Sequence, residues 1–198
     1  KTMFFHGMLR DLEGRKFSKS LGNGIDPLYL IGNWGVDATR MALYTYSIPG
    51  RDGRVSKASM DERGKNFRNF GTKLRNIARY VLDLSQRSKV KSQKFNKDDE
   101  WIMVELEKTI KQVTNYLEHL ELHLATDELY EFVWHKFADK YIESTKGRRV
   151  DAQPTLDHVL KQVLILLHPF MPFLTEELYQ KFEVKQKSIM QEQWPSSS

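Results

Sequence analysis

The sequence contains no cysteine, and this absence excludes a disulfide framework and any thiolate metal site. A chain without cysteine suits a reducing compartment, so we expect a cytoplasmic protein. No apolar run approaches the roughly 20 residues that cross a bilayer, so we expect no membrane partner. The first residues lack both an initiator methionine and a signal-peptide pattern. We therefore expect the chain to begin inside a larger protein.

The sequence also has no clear metal-binding motif. Its six histidines are scattered, and only His119 and His123 have a spacing that places two side chains on one helix face. Neither lies in a carboxylate–helix motif such as H-E-x-x-H, so chance spacing is the simpler explanation. We predict that this chain has no metal site.

Positive charge is in excess, and it is unevenly distributed. The net charge is +5, yet residues 51–97 contain 14 Lys or Arg against 4 Asp or Glu, and residues 98–146 contain 5 against 12. This contrast predicts one surface that attracts a polyanion and another that repels it. With 40% hydrophobic and 12% aromatic residues the chain can also bury a core, so it is not a disordered chain.

A cationic segment near the amino end, residues 16–20, is the first candidate site, and we refer to it as the lysine loop. It places Lys16 and Lys19 three residues apart, with Ser18 and Ser20 beside them and a glycine on either side. A lysine ammonium is a compact charge with three donors, which suits charge that develops on phosphate oxygens. Flanking glycines let the backbone move and approach a ligand closely. The pattern alone leaves open a solvated surface turn.

The spacing of apolar residues predicts a mainly α protein, and the length allows one domain or one domain with a small appendage. We expect residues 1–55 to form a small α/β stem that carries the loop and residues 56–198 to form an antiparallel helical bundle, a division that the family resemblance described below implies. In the stem we expect a strand over residues 3–6, a turn over 10–14, a helix that begins at Asp26-Pro27 and another over 36–46.

Four to five amphipathic helices are predicted for the bundle. The first long helix has a core face of Phe67, Phe70, Leu74, Ile77 and Val81. A polar linker over residues 85–96 follows it, and acidic residues begin the next helix. We expect Thr126 or Asp127 to cap a third helix, Thr155 to cap a fourth, Thr175 to begin a short fifth, and the tail past Ser188 to be extended.

A polar stripe on the first long helix is the second candidate site. At about 100° per residue, Asn69, Lys73, Asn76 and Tyr80 fall together beside the core face. A cation, two amides and an aromatic ring can hold a phosphate, bond base edges and stack an unpaired base. The helix also carries arginines on its far side, among them Arg68, and these would add salt-dependent affinity. A merely solvated polar face is the alternative.

Several strings resemble motifs of the class Ia aminoacyl-tRNA synthetases, and they occur in the same order. Residues 14–23 resemble the KMSKS signature, with Phe17 where methionine is usual, and residues 35–40 resemble the G-A-D-A-x-R segment that follows it. Residues 49–52 and 67–81 look most like the valyl enzymes. Further matches cover residues 132–143, 167–178 and 188–195, so the resemblance extends over nearly the whole chain.

The resemblance implies that the lysine loop binds ATP through Lys16, Ser18, Lys19 and Ser20. Lys19 would stabilise the charge that develops on the ATP phosphates during amino-acid adenylation, and Lys16 would assist. The two serines would orient the loop. ATP would be a substrate accompanied by Mg²⁺ in the parent enzyme, with no cofactor bound by the chain itself.

The resemblance also implies that the bundle binds the anticodon stem-loop of tRNA. Lys73, Asn76 and Tyr80 fall where the valyl enzymes contact the anticodon, and we add Arg68 and Asn69 to the predicted tRNA-binding set. Tyr80 replaces a phenylalanine, which preserves stacking. Two neighbours depart from the valyl pattern, since Thr72 replaces an asparagine and Arg75 a tryptophan.

No H-I-G-H element is present, and 198 residues leave no room for a nucleotide-binding domain, an editing domain or a coiled-coil arm. The resemblance therefore implies a piece of a valine–tRNA ligase that is inactive alone, while the parent enzyme would activate valine with ATP and transfer it to tRNA. Two alternatives stay open, namely an isoleucyl or leucyl enzyme and a stand-alone RNA-binding helical module.

Overall fold

Helices make up most of the regular structure in the computed structural model, which describes residues 3, 7–85, 95–182 and 186–196. The fold is mainly α, as predicted, with a small stem followed by an antiparallel bundle. The helices in chain order are α1 (Pro27–Trp34), α2 (Val36–Tyr44), α3 (Lys57–Ser85), α4 (Lys97–Glu118), α5 (Leu122–Glu131), a π-helix (Phe132–Ile142), α6 (Glu143–Thr145), α7 (Arg149–Leu167), α8 (Pro172–Tyr179) and a 3₁₀ turn (Ile189–Gln191). None of the helices in these ranges is long and apolar enough to cross a membrane.

The stem contains a two-stranded parallel sheet, formed by β1 (Leu9–Arg10) and β2 (Gly53–Arg54). This pairing is not among the predicted elements, because each strand is too short to show alternation. The strand predicted over residues 3–6 lies largely outside the described residues. The helix predicted at Asp26-Pro27 is confirmed, since the Asp26 carboxylate accepts the Leu28 N–H at 2.9 Å.

The core of the bundle is built on α3 and α7. Every residue of the predicted α3 core face is buried, which confirms the apolar spacing. Helix α7 packs against α3, α4, α5 and α8, so it is surrounded by other helices. Its buried residues accordingly occur on every side rather than along one stripe, as expected for a central helix.

Three predicted helix starts are wrong. Helix α5 begins at Leu122, before Thr126 and Asp127, because Leu120 adopts a left-handed φ of 60° and ends the preceding turn. Helix α7 begins at Arg149 and includes both Pro154 and Thr155. Pro154 has no N–H to donate to the Val150 carbonyl, and it lies in the second turn of α7, where Val150 is half exposed.

The two remaining differences lie at the carboxyl end. Helix α8 begins at Pro172 rather than at Thr175, because proline suits the first position of a helix. The tail is not wholly extended, since the Ser188 side chain accepts the Met190 N–H and starts the 3₁₀ turn. Most of the linker predicted over residues 85–96 lies outside the described residues.

The π-helix widens the helix between α5 and α6. Residues of a π-helix bond five positions apart, so Phe132 and Phe137 lie on one row, and Val133 and Ala138 on the next. All four are buried. The wider turn therefore buries two rows, while Lys136, Asp139 and Lys140 stay toward the surface, where Asp139 meets α3.

Candidate nucleotide loop and nucleic-acid interface

Two side chains outside the lysine loop hold it at its base. Asn23 accepts the Ser18 N–H through Oδ1 at 2.9 Å, and its Nδ2 donates to Asp11 Oδ2 at 2.9 Å and to the Lys16 carbonyl at 3.3 Å. Asp11 also accepts the backbone N–H and the Nε–H of Arg15, both at 2.8 Å. The loop backbone is therefore fixed without using either lysine side chain.

Asp11 is an ionised anchor for this network. The hydrogen bond from Asn23, supported by those from Arg15, lowers the pKa of Asp11 to about 2. Its carboxylate therefore stays charged at any pH at which the protein operates. A charged acceptor forms stronger hydrogen bonds than a neutral one, so the base of the loop is well defined.

Both lysines of the loop lie exposed at the surface. Among the residues that the structure describes, neither ammonium group has an ion-pair or hydrogen-bond partner. The hydroxyls of Ser18 and Ser20 contact each other at 2.7 Å, and Phe17, which lies between Lys16 and Ser18 in the sequence, packs toward the core. The arrangement presents two exposed ammonium groups on an anchored loop, and Lys16 is also attracted electrostatically by Asp52. Such a pair of cations suits a polyphosphate.

The sequence drew attention to the two lysines but not to Asp11 and Asn23, which shape the loop. A weak signal for Asn23 was available, because it follows Gly22, which adopts a left-handed φ of 62°. Turns with such a glycine are often closed by a neighbouring asparagine side chain. Asp11 gives no such signal, since its partners lie 4 and 12 residues away.

The four residues of the polar stripe divide into two exposed and two partly buried side chains. Asn69 and Asn76 are exposed, and Asn76 accepts a hydrogen bond from Arg79 at 3.0 Å. Lys73 is partly buried, and its Nζ lies 2.8 Å from Asp139 and 5.2 Å from the ring centroid of Trp134. The cation of the stripe is therefore already paired within the bundle.

Tyr80 is also engaged by the bundle. Its hydroxyl lies 3.2 Å from Thr145 Oγ1, and the Arg149 guanidinium lies 4.2 Å from the ring centroid and donates to the Tyr80 carbonyl. A guanidinium over an aromatic face is a favourable cation–π contact. Arg149 therefore adds a positive charge to the stripe from a second helix.

Arg68 lies apart from the polar stripe. Its guanidinium donates to the Asn33 carbonyl of α1 at 3.0 Å, whereas Lys73 faces the π-helix. The structure thus brings together Asn69, Lys73, Asn76 and Tyr80, and it places Arg68 on the side toward the stem. The neighbours Trp134, Asp139 and Arg149 come from other helices, so the α3 sequence alone could not reveal them.

The described residues contain no group of three His, Asp or Glu side chains that could hold a metal ion. Glu176 and Glu177, which are adjacent in the sequence, have separate partners and do not form an acid–base pair. Glu176 accepts the Ser188 hydroxyl at 2.8 Å and the Ile189 N–H at 3.1 Å, while Glu177 pairs with Arg75 at 2.7 Å. They fasten the tail and α3 rather than forming an acid–base pair.

Curated relatives of this chain are valine–tRNA ligases. The protein of Clostridium tetani is 42% identical over 98% of the chain, and that of Thermotoga maritima is 41% identical over 98%. The chain spans only 23% and 22% of the length of these two relatives. The similarity is thus continuous along the chain but concerns under a quarter of each relative.

Solved structures of similar fold come from the same class of enzyme. The ternary complex of Agrobacterium radiobacter LeuRS with tRNA and LeuAMS gives a TM-score of 0.76 at 24% identity, covering 97% of this chain and 23% of that one. Mycobacterium tuberculosis methionyl-tRNA synthetase with methionyl-adenylate gives 0.67 at 21% identity, covering 88% and 36%. These likenesses support the fold.

Two family models match separate parts of the chain, and neither covers residues 57–98. Residues 99–198 match the family described as the anticodon-binding domain of tRNA ligase, and residues 1–56 match the family described as tRNA synthetases class I (I, L, M and V). The chain therefore belongs to the class I aminoacyl-tRNA synthetases that carry the anticodon-binding domain of tRNA ligases.

Proposed function

We propose that this chain serves a valine–tRNA ligase in two ways, by binding the tRNA anticodon stem-loop and by supplying the ATP-binding loop for valine activation. The observation that carries the proposal is the similarity to valine–tRNA ligases along 98% of the chain. The exposed lysines of the loop could bind the phosphates of ATP, and the polar stripe on α3 could bind RNA, so both features support the proposal. Residues 1–55 form the catalytic part, and residues 56–198 form the tRNA-binding part.

In the first step, the valine carboxylate attacks the α-phosphorus of ATP. A new phosphorus–oxygen bond forms to valine, and the bond to pyrophosphate breaks. Negative charge accumulates on the leaving pyrophosphate, where the ammonium groups of Lys19 and Lys16 bind it more strongly as it develops. Ser18 and Ser20 keep the loop in shape, and Mg²⁺ accompanies the nucleotide.

In the bundle, the polar stripe reads the anticodon. The exposed amides of Asn69 and Asn76 bond base edges, the Tyr80 ring supports stacking, and Lys73 meets a phosphate. Asp139 competes with that phosphate for Lys73, because the Lys73 Nζ already lies 2.8 Å from the Asp139 carboxylate. Arg68, on the stem side, contacts the RNA backbone. The work of such a protein places it in the cytoplasm, together with tRNA.

An adenylation assay separates this function from its alternatives. We expect a full-length ligase carrying this chain to catalyse ATP–pyrophosphate exchange with valine, and at least about 100-fold less with isoleucine or leucine. A preference for isoleucine or leucine would assign the chain to that enzyme instead. No exchange with any of the three, together with retained RNA binding, would favour an RNA-binding module without ligase activity.

A further inference from the structure

The Gly-Arg-Asp segment at residues 50–52 has a structural role that the binding sites above do not use. The Asp52 carboxylate accepts the Met8 N–H at 2.8 Å through Oδ1 and the Arg10 Nε–H through Oδ2. Strands β1 and β2 pair directly beside these contacts, with Leu9 opposite Gly53. Asp52 therefore joins the segment that precedes the lysine loop to the segment that precedes α3.

Arg10 extends this connection into the loop. Its guanidinium also donates to the Gly14 carbonyl at 3.2 Å, and its backbone forms an antiparallel bridge with Lys16. One side chain thus spans from the Asp52 carboxylate to the turn on which the loop is built. Because Lys16 is bridged to Arg10, a shift of Arg10 moves the first lysine of the loop.

The backbone around this contact has little freedom. A Cβ atom at Gly7 would lie 1.8 Å from the Arg51 carbonyl oxygen, so only glycine permits this approach of the two segments. The Val55 N–H donates to the Arg10 carbonyl at 2.8 Å, two residues before α3 begins at Lys57. The base of the loop and the head of α3 are therefore one hydrogen-bonded unit.

The electrostatic surroundings make the Asp52 charge important. Asp52 is the one carboxylate among the described residues that line an adjoining cavity of about 800 Å³, whereas Arg10, Arg51, Arg54 and Arg63 all line it. Four guanidinium groups repel one another unless an anion lies among them. Without its negative charge, position 52 would no longer hold Arg10 against this repulsion.

We propose that Asp52 is a positioning residue for the lysine loop, acting through Arg10 to hold Lys16 and Lys19 in register with α3. The proposal rests on the catalytic part of the proposed function. Asp52 touches neither ATP nor tRNA in this account. It sets where the two ammonium groups stand when the leaving phosphates become charged.

The test compares Asp52→Asn with Asp61→Asn in a full-length ligase. Asparagine keeps an acceptor for the Met8 N–H but removes the charge that holds Arg10. We expect valine-dependent exchange to lose about tenfold or more in kcat, with KM for valine and the affinity for tRNA unchanged. Asp61 is the matched control, since it bonds Tyr29 and Trp34 at the head of α3 and does not contact the loop.

Arg10→Gln provides an independent check. If Asp52 acts through Arg10, this variant loses as much kcat as Asp52→Asn, and the double variant loses no more than either one. Additive losses, or an Asp52→Asn enzyme that behaves like Asp61→Asn, would overturn the proposal. A fall in kcat accompanied by an equal loss of tRNA affinity would also overturn the proposal, because it would indicate that the whole fold is destabilised.

Hydrogen exchange on the 198-residue chain keeps this inference separate from the proposed function. The amides of Asp11, Gly14, Arg15 and Ser18 are hydrogen-bonded at the base of the loop. In Asp52→Asn we expect them to exchange about tenfold faster, with the amides in the middle of α3 unchanged. Unchanged exchange at these four amides contradicts the proposal even if the ligase is active. Faster exchange at these amides supports a positioning role for Asp52 even if valine activation fails.

Discussion

At the scale of single residues, the backbone conformation of the lysine loop is fixed by a neutral and an acidic neighbour and not by its own lysine side chains. Asn23 makes three of the hydrogen bonds that shape the loop, and Asp11 receives one of them. The sequence predicted the exposed cations because charge and flanking glycines are local features. It could not predict which side chains fold back to hold them, since those contacts depend on the path of the turn.

Asn23→Ala should raise the pKa of Asp11. The hydrogen bond from Asn23 is the main reason that this pKa is about 2, so its loss should move the carboxyl toward the ordinary value of about 3.9. Because the folded-state pKa is lowered, the contribution of Asp11 to stability is present above pH ~3.9 and lost as the pH falls toward 2. NMR titration of the Asp11 carboxyl carbon measures the change. An unchanged pKa would assign the effect to Arg15.

Lys73→Gln tests whether the polar stripe meets RNA backbone. If Lys73 binds a phosphate, the slope of log affinity against log salt should become shallower by about one unit for tRNA. The fold should be little affected, because the partly exposed Lys73–Asp139 pair contributes at most about 1 kcal/mol. Lys65→Gln, an exposed lysine earlier on α3, is the control. Equal slopes for Lys73→Gln and the unmodified chain would remove Lys73 from the interface.

At the scale of elements, the stem docks on the bundle through a close approach of α1 to α3. A Cβ atom at Gly64 would lie 2.5 Å from the Trp34 ring, and that ring is held by a hydrogen bond from its Nε1 to Asp61 at 2.9 Å. Nothing in the α3 sequence distinguishes this glycine from an ordinary helix-weakening one. Its role becomes visible only when α1 is packed against it.

Gly64→Ala should therefore destabilise the protein by about 1–3 kcal/mol, since Trp34 must move to admit the methyl group. The matched control is Gly32→Ala on α1, where an added Cβ meets nothing within 4 Å. Alanine in that helix should stabilise by about 0.5–1 kcal/mol. Urea unfolding of the two variants measures both. A neutral Gly64→Ala would show that α1 and α3 are not closely packed.

A buried ion pair joins the starts of α4 and α7. Asp99 is fully buried and accepts two hydrogen bonds from Arg148, at 2.8 and 2.9 Å, and one from Tyr141 at 2.5 Å. Burial opposes its ionisation, but the hydrogen bonds from Arg148 and Tyr141 outweigh burial and hold the pKa of Asp99 below its usual range. The pair fixes how α7 enters the bundle.

Asp99→Ala should cost about 3–5 kcal/mol, because it leaves Arg148 without its partner. Asp98→Ala, on the same turn but exposed, should cost no more than about 1 kcal/mol. The lowered pKa means that the stabilisation by Asp99 is present above pH ~3.9 and falls away as the carboxyl is protonated. Urea unfolding at neutral and acidic pH measures it. Equal losses for the two variants would refute the role of the pair.

The helix interiors were predicted well, whereas the starts of α5, α7 and α8 were not, for a physical reason. The apolar face of α3 follows from burial, which repeats along many residues and is therefore visible in the sequence. A start depends on one cap or one backbone conformation, such as the left-handed Leu120 before α5. The π-helix was not predicted either. Val133, Phe137 and Tyr141 recur every four residues, a spacing that is equally typical of an ordinary α-helix.

At the scale of the whole molecule, one long helix, α3, connects the two proposed sites. The head of α3 is hydrogen-bonded to the base of the lysine loop through Val55 and Arg10, and its later turns carry the polar stripe. The sequence predicted both ends separately. The sequence could not show that α3 is linked to the lysine loop, because that link runs through the short pairing of β1 with β2.

In the proposed function, the later turns of α3 read a valine anticodon. The most direct measurement is the affinity of the 198-residue chain for the anticodon stem-loop of a valine-accepting tRNA, compared with the same stem-loop carrying a changed anticodon. We expect at least about tenfold tighter binding of the valine form at low salt, and loss of that preference in Asn76→Ala. Equal affinity for the two stem-loops would contradict the account.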